Sequence, residues 1–113
     1  MKNPRPFIAV YLMASGRNGT LYTGVTSNLQ QRVFQHKTGA FSGFSARYGC
    51  ARLVWWEQHY DMPTAIAREK AIKGRGRTWK LRLIESANPE WRDLSDEWRG
   101  WEPLLGSDPG EPE

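Results

Sequence analysis

The first 70 positions of the chain include a set of residue types that could hydrolyse phosphodiester bonds. The set comprises two phenols, a permanent cation, an imidazole and a carboxylate: Tyr11, Tyr22, Arg32, His36 and Glu69. The two tyrosines fall on the two candidate strands of one hairpin, whereas Arg32 and His36 lie one turn apart on the helix predicted next. We therefore expect four of the five side chains to converge on one site.

Arg32 and His36 suit phosphoryl chemistry individually. A guanidinium engages two phosphate oxygens at once and stays charged at every relevant pH. His36 could orient a water molecule or relay a proton. The same spacing also describes two ordinary neighbours on a solvated helix face, so the pair alone is weak evidence of a site.

Tyr11 and Tyr22 have two readings. Strand tyrosines commonly fill a core. A phenol has a pKa of about 10, so a tyrosine that acts as a base needs positive charge beside it. Arg32 and a metal ion could provide that charge, and the catalytic reading therefore depends on the whole set.

Glu69 is the carboxylate of most interest. Ile66 and Ile72 lie three residues to either side of it, which predicts that Glu69 is on the buried face of a helix. A buried carboxylate is costly unless a cation or hydrogen-bond donors meet it, so a divalent metal or an arginine is the expected partner. The alternatives are a plain Glu69–Arg32 ion pair and a boundary glutamate that reaches solvent.

Length and composition predict one domain with a tail. A chain of 113 residues and 13.0 kDa has room for one hydrophobic core. We expect a single α+β domain over residues 1–102 and a disordered acidic Pro/Gly tail over residues 103–113. Cys50 is the lone cysteine, which excludes an intrachain disulfide and a cysteine-based metal site. No apolar run is long enough to span a membrane, so we expect a cytoplasmic protein.

Charge is distributed very unevenly along the chain. Residues 1–84 carry 14 Lys and Arg against 3 Asp and Glu, whereas residues 85–113 carry 2 against 9. A basic body predicts a polyanionic partner, because contacts with phosphates release condensed counterions. We expect nucleic acid as the partner, with DNA favoured over RNA but the choice between them open, and we expect no membrane surface and no dinucleotide cofactor. Surface charge that serves solubility alone is the alternative.

Apolar runs and turn residues predict the elements that carry the site. Residues 7–13 and 19–25 form a β-hairpin signal around a Ser-Gly-Arg-Asn-Gly loop. A helix follows over residues 29–37, with Ser27 or Asn28 as its N-cap and Gly39 as its stop. Residues 40–50 read as an ordered loop that could face the substrate.

The second half of the chain continues with a strand and helices. Residues 52–59 predict a third strand, and a helix with proline in its first turn runs from about residue 62 to 73. Another helix covers about residues 78–86. Asn88 reads as the N-cap of a C-terminal helix, because Trp91, Leu94, Trp98 and Trp101 recur at helical spacing.

Several short motifs together resemble the GIY-YIG endonuclease superfamily, particularly its small stand-alone bacterial members. The resemblance covers about residues 5–95 and rests on Ala9-Val10-Tyr11, Tyr22-Thr23-Gly24, Arg32, His36, Glu69 and the Asn88-Pro89-Glu90-Trp91 stretch. Ala9 stands where the first motif has its initial glycine, and Thr23 where the second has isoleucine. Neither change removes a catalytic atom.

The resemblance implies a three-stranded antiparallel sheet flanked by helices and metal-dependent hydrolysis of nucleic acid. It implies Tyr11 as the preferred general base, Tyr22 as the residue that positions phosphate or water, and Arg32 as the stabiliser of the transition state. It further implies that Glu69 holds one Mg²⁺ or Mn²⁺. His36 would be a hydrogen-bond partner or an alternative base.

Other residues would support the site or the substrate. Gly24 and Asn88 are possible supports of the active site under the same resemblance. The residues expected to contact nucleic acid are Lys37, Arg47, Lys70, Lys73 and Arg75. Site-specific members of the superfamily often add a separate DNA-recognition domain that we do not expect here, so the choice of substrate stays open. Branched, damaged or single-stranded DNA, as in DNA repair, is one option.

Two other functions remain open from the sequence. One is a non-catalytic nucleic-acid-binding module of the same fold, which the basic body favours. The other is a scaffold that recruits a protein through its aromatic loop and tryptophan-rich end. Neither alternative needs two tyrosines at a fixed spacing from an arginine.

Overall fold

A computed structural model of the chain describes residues 6–39 and 47–98. Its sheet contains β1 (Ile8–Ala14), β2 (Leu21–Thr26) and β3 (Arg52–His59), in the order β2-β1-β3 with both pairs antiparallel. The predicted fold class, a small three-stranded antiparallel sheet flanked by helices, is confirmed.

The helices begin and end close to the residues that the sequence indicates. They are α1 (Leu29–Thr38), α2 (Met62–Lys73) and α3 (Arg77–Ala87). The Asn28 side chain accepts a hydrogen bond from the Gln31 amide and caps α1, and Gly39 ends that helix in the left-handed conformation at φ 72°.

The sheet separates two apolar clusters. Alternate residues of β1 point to opposite sides, as strand geometry requires. Val10, Leu12 and Ala14 pack with the inward residues of α2 and α3 on the side that we call the α2 face. Ala9, Tyr11 and Met13 pack with Leu29 and Val33 of α1 on the other side, the α1 face. Any function of Tyr11 therefore belongs to the α1 face.

A β-bulge in β3 changes the alternation of side chains between the two faces of the sheet. Leu12 pairs with Trp55 and Met13 with Leu53, so Val54 is an extra residue in the ladder. Val54 and Trp55 consequently both lie on the α2 face. Trp56, the partner of Tyr11, returns to the α1 face.

The helix predicted to begin at Asn88 is wrong. Asn88 is instead the C-cap of α3, and its backbone amide donates to the Ile84 carbonyl at 2.7 Å. Its side-chain amide donates to the carbonyls of Val54 and Arg92 at 3.1 and 2.9 Å, and its oxygen accepts from the Arg92 amide at 3.0 Å. These bonds turn the chain across β3 rather than onward into a helix.

The tryptophans after Asn88 therefore do not share one helical stripe. Trp91 adopts φ 57° and is fully buried on the α2 face, where its indole donates to Glu85 at 2.9 Å. A short 3₁₀ helix follows at Leu94–Trp98, and Trp98 packs on the α1 face. The segment thus covers both faces of the sheet, while Trp101 lies outside the described residues.

Some predictions fall outside the described part of the chain. Residues 40–46 of the proposed substrate-facing loop lie there, as do the boundary at residue 102 and the tail at 103–113. These remain predictions. Among the described residues, no helix combines the length and apolarity that a membrane span requires.

Candidate active site

A buried hydrogen bond between Tyr11 and His36 lies at the centre of the candidate site. The Tyr11 Oη and His36 Nε2 atoms are 2.9 Å apart. Tyr11 reaches this point because its position in β1 faces α1, and His36 because it lies on the inward side of α1 with Leu29 and Val33. The sheet and the helix together fix the two rings.

Tyr22 completes a cluster of three rings. Its ring centroid is 6.3 Å from that of Tyr11 and 5.2 Å from that of His36. It lies on β2 with the same facing as Tyr11, and it is half-buried whereas Tyr11 is fully enclosed. Tyr22 is therefore the more accessible phenol of the pair.

Arg32 contributes positive charge one turn before His36. Burial lowers the pKa of His36 to about 4, and the charge of Arg32 acts in the same direction. His36 is therefore neutral near pH 7 and offers one donor and one acceptor nitrogen. The structure thus brings together Tyr11, Tyr22, Arg32 and His36, the four side chains expected to converge.

Gly24 makes room for the Tyr11 ring. The two residues are direct partners in the β1–β2 ladder. A β-carbon built at Gly24 would lie 2.4 Å from both Cζ and Oη of Tyr11, closer than any side chain tolerates. Glycine at this position lets the phenol lie across β2 toward His36.

Glu69 is buried, as the sequence predicts, but in a different stripe. The inward residues of α2 are Ala65, Glu69 and Ile72. Ile72 lies six positions after Ile66, so the two side chains point about 120° apart around the helix axis. Ile72 is buried, whereas Ile66 is 36% exposed. Glu69 Oε2 pairs with Lys73 Nζ at 2.6 Å rather than with Arg32. This pair was not predicted, although its i,i+4 spacing on a helix is a signal that the sequence contains.

Helix α2, which carries Glu69, packs on the other side of the sheet from the tyrosine rings. Ala65 and Ile72, the neighbours of Glu69 on the inward stripe, pack on the α2 face, whereas the tyrosine rings lie on the α1 face. Helix α2 packs against β1 and β2, the two strands that carry Tyr11 and Tyr22. Glu69 is thus carried by a helix that packs against the same two strands that carry the two phenols.

A single carboxylate fits one kind of metal site. The described residues contain no group of three or more His, Cys, Asp or Glu side chains that could hold an ion. Mg²⁺ retains several waters and commonly takes one or two carboxylates together with substrate phosphates. The Glu69 side chain, 9% exposed and paired with a Lys73 that is 55% exposed, fits the role of a lone protein ligand.

The residues predicted to contact nucleic acid differ in whether their side chains already contact other residues. Lys70 is exposed, Arg75 lies 5.0 Å from the Trp79 ring centroid, and Arg47 lies 5.8 Å from that of Tyr48. Lys73 is engaged with Glu69.

Lys37 has a structural role that the sequence did not predict. Its ammonium group donates to the Ala51 carbonyl at 3.0 Å and to the Asp93 carboxylate. Asp93 also accepts from the Leu53 amide of β3. Lys37 therefore ties α1 to the segment after α3, and this engagement argues against a phosphate contact.

Comparison with known proteins adds independent observations. The family model described as the GIY-YIG catalytic domain matches residues 7–82. The chain is 35% identical to a UPF0213 protein of Clostridium perfringens over 77 residues, which cover 68% of this chain and 82% of the relative. A UPF0213 protein of Desulfotalea psychrophila is 37% identical over 87 residues, with coverages of 74% and 76%. The solution NMR structure of a UPF0213 protein from Bacillus halodurans is 22% identical, with a TM-score of 0.49 and coverages of 79% and 94%.

Proposed function

The chain belongs to the GIY-YIG catalytic domain family, and from that premise we propose that it is a metal-dependent endonuclease that hydrolyses phosphodiester bonds of DNA. The observation that supports this most is the Tyr11–His36 hydrogen bond of 2.9 Å, with Tyr22 and Arg32 beside it. Core aromatics alone would require neither the imidazole nor the guanidinium.

Tyr11 acts as the general base in this proposal. Its oxygen removes a proton from the attacking water, while the phenolic proton moves to Nε2 of neutral His36 across the 2.9 Å hydrogen bond. The low pKa of His36 makes it a weak and brief proton holder. The positive charge of Arg32 favours the phenolate form of Tyr11 while that proton is displaced.

Arg32 and Tyr22 act on the phosphate. Negative charge builds on the oxygens of the five-coordinate phosphorus, and the guanidinium stabilises that charge through paired hydrogen bonds. Tyr22, the more exposed phenol, orients the scissile phosphate. Loss of one such electrostatic contact typically lowers a rate by about 100- to 1000-fold.

Glu69 holds the divalent ion that the family implies. When bound, Mg²⁺ or Mn²⁺ supplies Lewis-acid polarisation of a phosphoryl oxygen. The Glu69 carboxylate is already buried and held by the fold, so its side chain loses little conformational entropy when the ion binds. Lys73, mostly exposed, can leave the carboxylate without disturbing the inward stripe of α2.

Cleavage of a labelled substrate panel tests the proposal. The panel contains single-stranded, duplex, branched and abasic DNA, together with RNA, each incubated with Mg²⁺ or Mn²⁺. Wild type should give metal-dependent products, and Tyr11→Phe should cut about 100-fold more slowly while it keeps its circular dichroism spectrum. Equal rates for the two proteins would overturn the catalytic role of Tyr11.

A non-catalytic nucleic-acid-binding module of the same fold is the second candidate. The enclosure of the site favours it, since Tyr11, Arg32 and His36 are only 1%, 3% and 7% exposed. Most tyrosines on strands are core residues, and the burial of Tyr11 fits that role. This candidate predicts salt-dependent binding with no cleavage in any divalent metal.

A further inference from the structure

An open cleft lies beside the start of β2, apart from the ring cluster. Its volume is about 270 Å³, and its lining residues are Thr20, Leu21, Arg77 and Lys80. Two of these four carry positive charge, and they come from the first turn of α3. Neither Arg77 nor Lys80 is among the residues that the sequence predicts to contact nucleic acid.

The guanidinium of Arg77 is held in place by the hairpin loop. Its Nη2 atom donates to the carbonyls of Asn18 and Gly19 at 2.7 and 2.9 Å. The loop itself is braced, because the Ser15 amide donates to the Thr20 carbonyl and the Thr20 amide to Ser15 Oγ. Both bonds use Nη2, and within residues 6–39 and 47–98 no hydrogen bond engages Nε or Nη1, so these donors are available to a ligand. A fixed guanidinium loses little entropy when it binds.

The charge around the cleft has one sign over long stretches of sequence. Residues 1–56, which include both strands of the hairpin, contain no Asp or Glu. Residues 70–84 contain six Lys and Arg and no acid. A cleft between two such segments complements an anion, and its Thr20 lining adds polar character.

The cleft also has a definite position relative to the site. Leu21 immediately precedes Tyr22 and lies about three strand residues, or about 10 Å, from Gly24 beside the Tyr11 ring. Strand β2 is an edge of the sheet. Leu21 packs on the α2 face and Tyr22 on the α1 face, so a nucleic-acid strand that contacts both the cleft and Tyr22 passes around this edge.

We infer that this cleft binds a backbone phosphate flanking the scissile one, with Arg77 and Lys80 as its ligands. The inference rests on the proposed function for the identity of the polyanion. The guanidinium engages two phosphate oxygens, and the Lys80 ammonium adds a second charge. The contact sets the register of the strand and reads no base sequence.

Binding measured without cleavage tests the inference. Fluorescence anisotropy of a labelled DNA strand is followed in EDTA for wild type, Arg77→Gln, Lys80→Gln and the control Arg82→Gln, an exposed arginine of α3 that does not line the cleft. Arg77→Gln and Lys80→Gln should each raise Kd about tenfold and reduce the slope of log K against log salt by about one. Arg82→Gln should stay within about twofold of wild type. Equal values for all four proteins would overturn the inference.

Neutral linkages locate the phosphate. A series of strands, each with one methylphosphonate, should show one position beside the cut site where wild type loses about tenfold in affinity. Arg77→Gln and Lys80→Gln should be insensitive to that substitution, because the contact is already lost. A flat scan for wild type would contradict a defined phosphate site.

Lys80→Gln separates binding from folding. Arg77 also braces the hairpin loop, so its replacement could weaken binding indirectly. The structure gives Lys80 no such bond to the loop, and its variant should melt within about 2 °C of wild type, as surface substitutions do. Normal binding by Lys80→Gln would overturn its assignment.

The two proposals can fail separately. A protein that binds DNA through Arg77 and Lys80 but cleaves nothing would refute the nuclease and leave the cleft assignment intact. If wild type cleaves DNA and both variants do so with an unchanged KM, only the assignment of the cleft is refuted. Inorganic phosphate that competes at millimolar concentration equally in wild type and both variants would place anion binding elsewhere.

Discussion

The ring of Tyr11 lies directly over the α-carbon of Gly24, its partner on the neighbouring strand. A β-carbon at residue 24 would lie 2.4 Å from the phenol oxygen, the atom that contacts His36. The third position of the second motif thus acts by lacking a side chain. Its role is to let the proposed base reach the imidazole.

Gly24→Ala should therefore damage activity more than stability. The methyl group forces the Tyr11 ring away from His36, and a displacement of about 1 Å can cost about 100-fold in rate. We expect kcat for cleavage to fall by about that factor, measured on the substrate that wild type prefers. Gly16→Ala is the matched control, because a β-carbon there meets no atom within 4 Å. Similar rates for the two variants would contradict the steric role of Gly24.

The buried imidazole predicts a pH dependence of stability. The folded-state pKa of His36 is lowered to about 4 from an ordinary value of 6.5. Between these values the unfolded chain binds the proton more readily, so stability falls as pH drops from about 6.5 toward 4. Urea unfolding should show a smaller loss for His36→Gln than for wild type between pH 7.5 and pH 5. Parallel losses would mean that His36 is not held neutral by its surroundings.

The elements that position the site follow from local sequence, whereas their relative placement does not. Asn28 and Gly39 delimit α1 through short-range capping bonds, and such signals can be read from residue types. Tyr11, Tyr22, Arg32 and His36 also converge as the spacing indicates. Two strands and one amphipathic helix leave few other arrangements for these residues.

Long-range bonds account for the wrong predictions. Trp91 and Trp98 recur at helical spacing, yet Asn88 bonds to the Val54 carbonyl 34 residues away and the chain turns there. That carbonyl belongs to the β-bulge, whose position no local pattern reveals. Packing likewise determines which residues of α2 point inward with Glu69. Both Ala65 and Ile66 are apolar, so the local sequence does not reveal that Ala65 is the buried one.

Glu69→Gln should remove metal binding while it leaves the fold in place. The amide is nearly the same size as the carboxylate but lacks the charge that a hard divalent cation requires. We expect Mn²⁺ affinity, measured by the loss of free-ion EPR signal in the presence of DNA, to fall at least tenfold, and cleavage to fall with it. Glu57→Gln is the control, because Glu57 is engaged with Arg68 and His59. Wild-type Mn²⁺ binding by Glu69→Gln would exclude it as the ligand.

Asn88→Ala distinguishes a fold-stabilising role from a role in the active site. The Asn88 side chain satisfies the Val54 carbonyl and both backbone polar groups of Arg92, and the residue is 3% exposed. Its truncation leaves several of these groups without partners, and each buried unpaired group costs about 1–3 kcal/mol. We expect the free energy of unfolding to drop by about 3 kcal/mol. Cleavage per folded molecule, measured well below the midpoint of unfolding, should remain within about twofold of wild type, and a selective loss of kcat with unchanged stability would instead place Asn88 in the catalytic machinery.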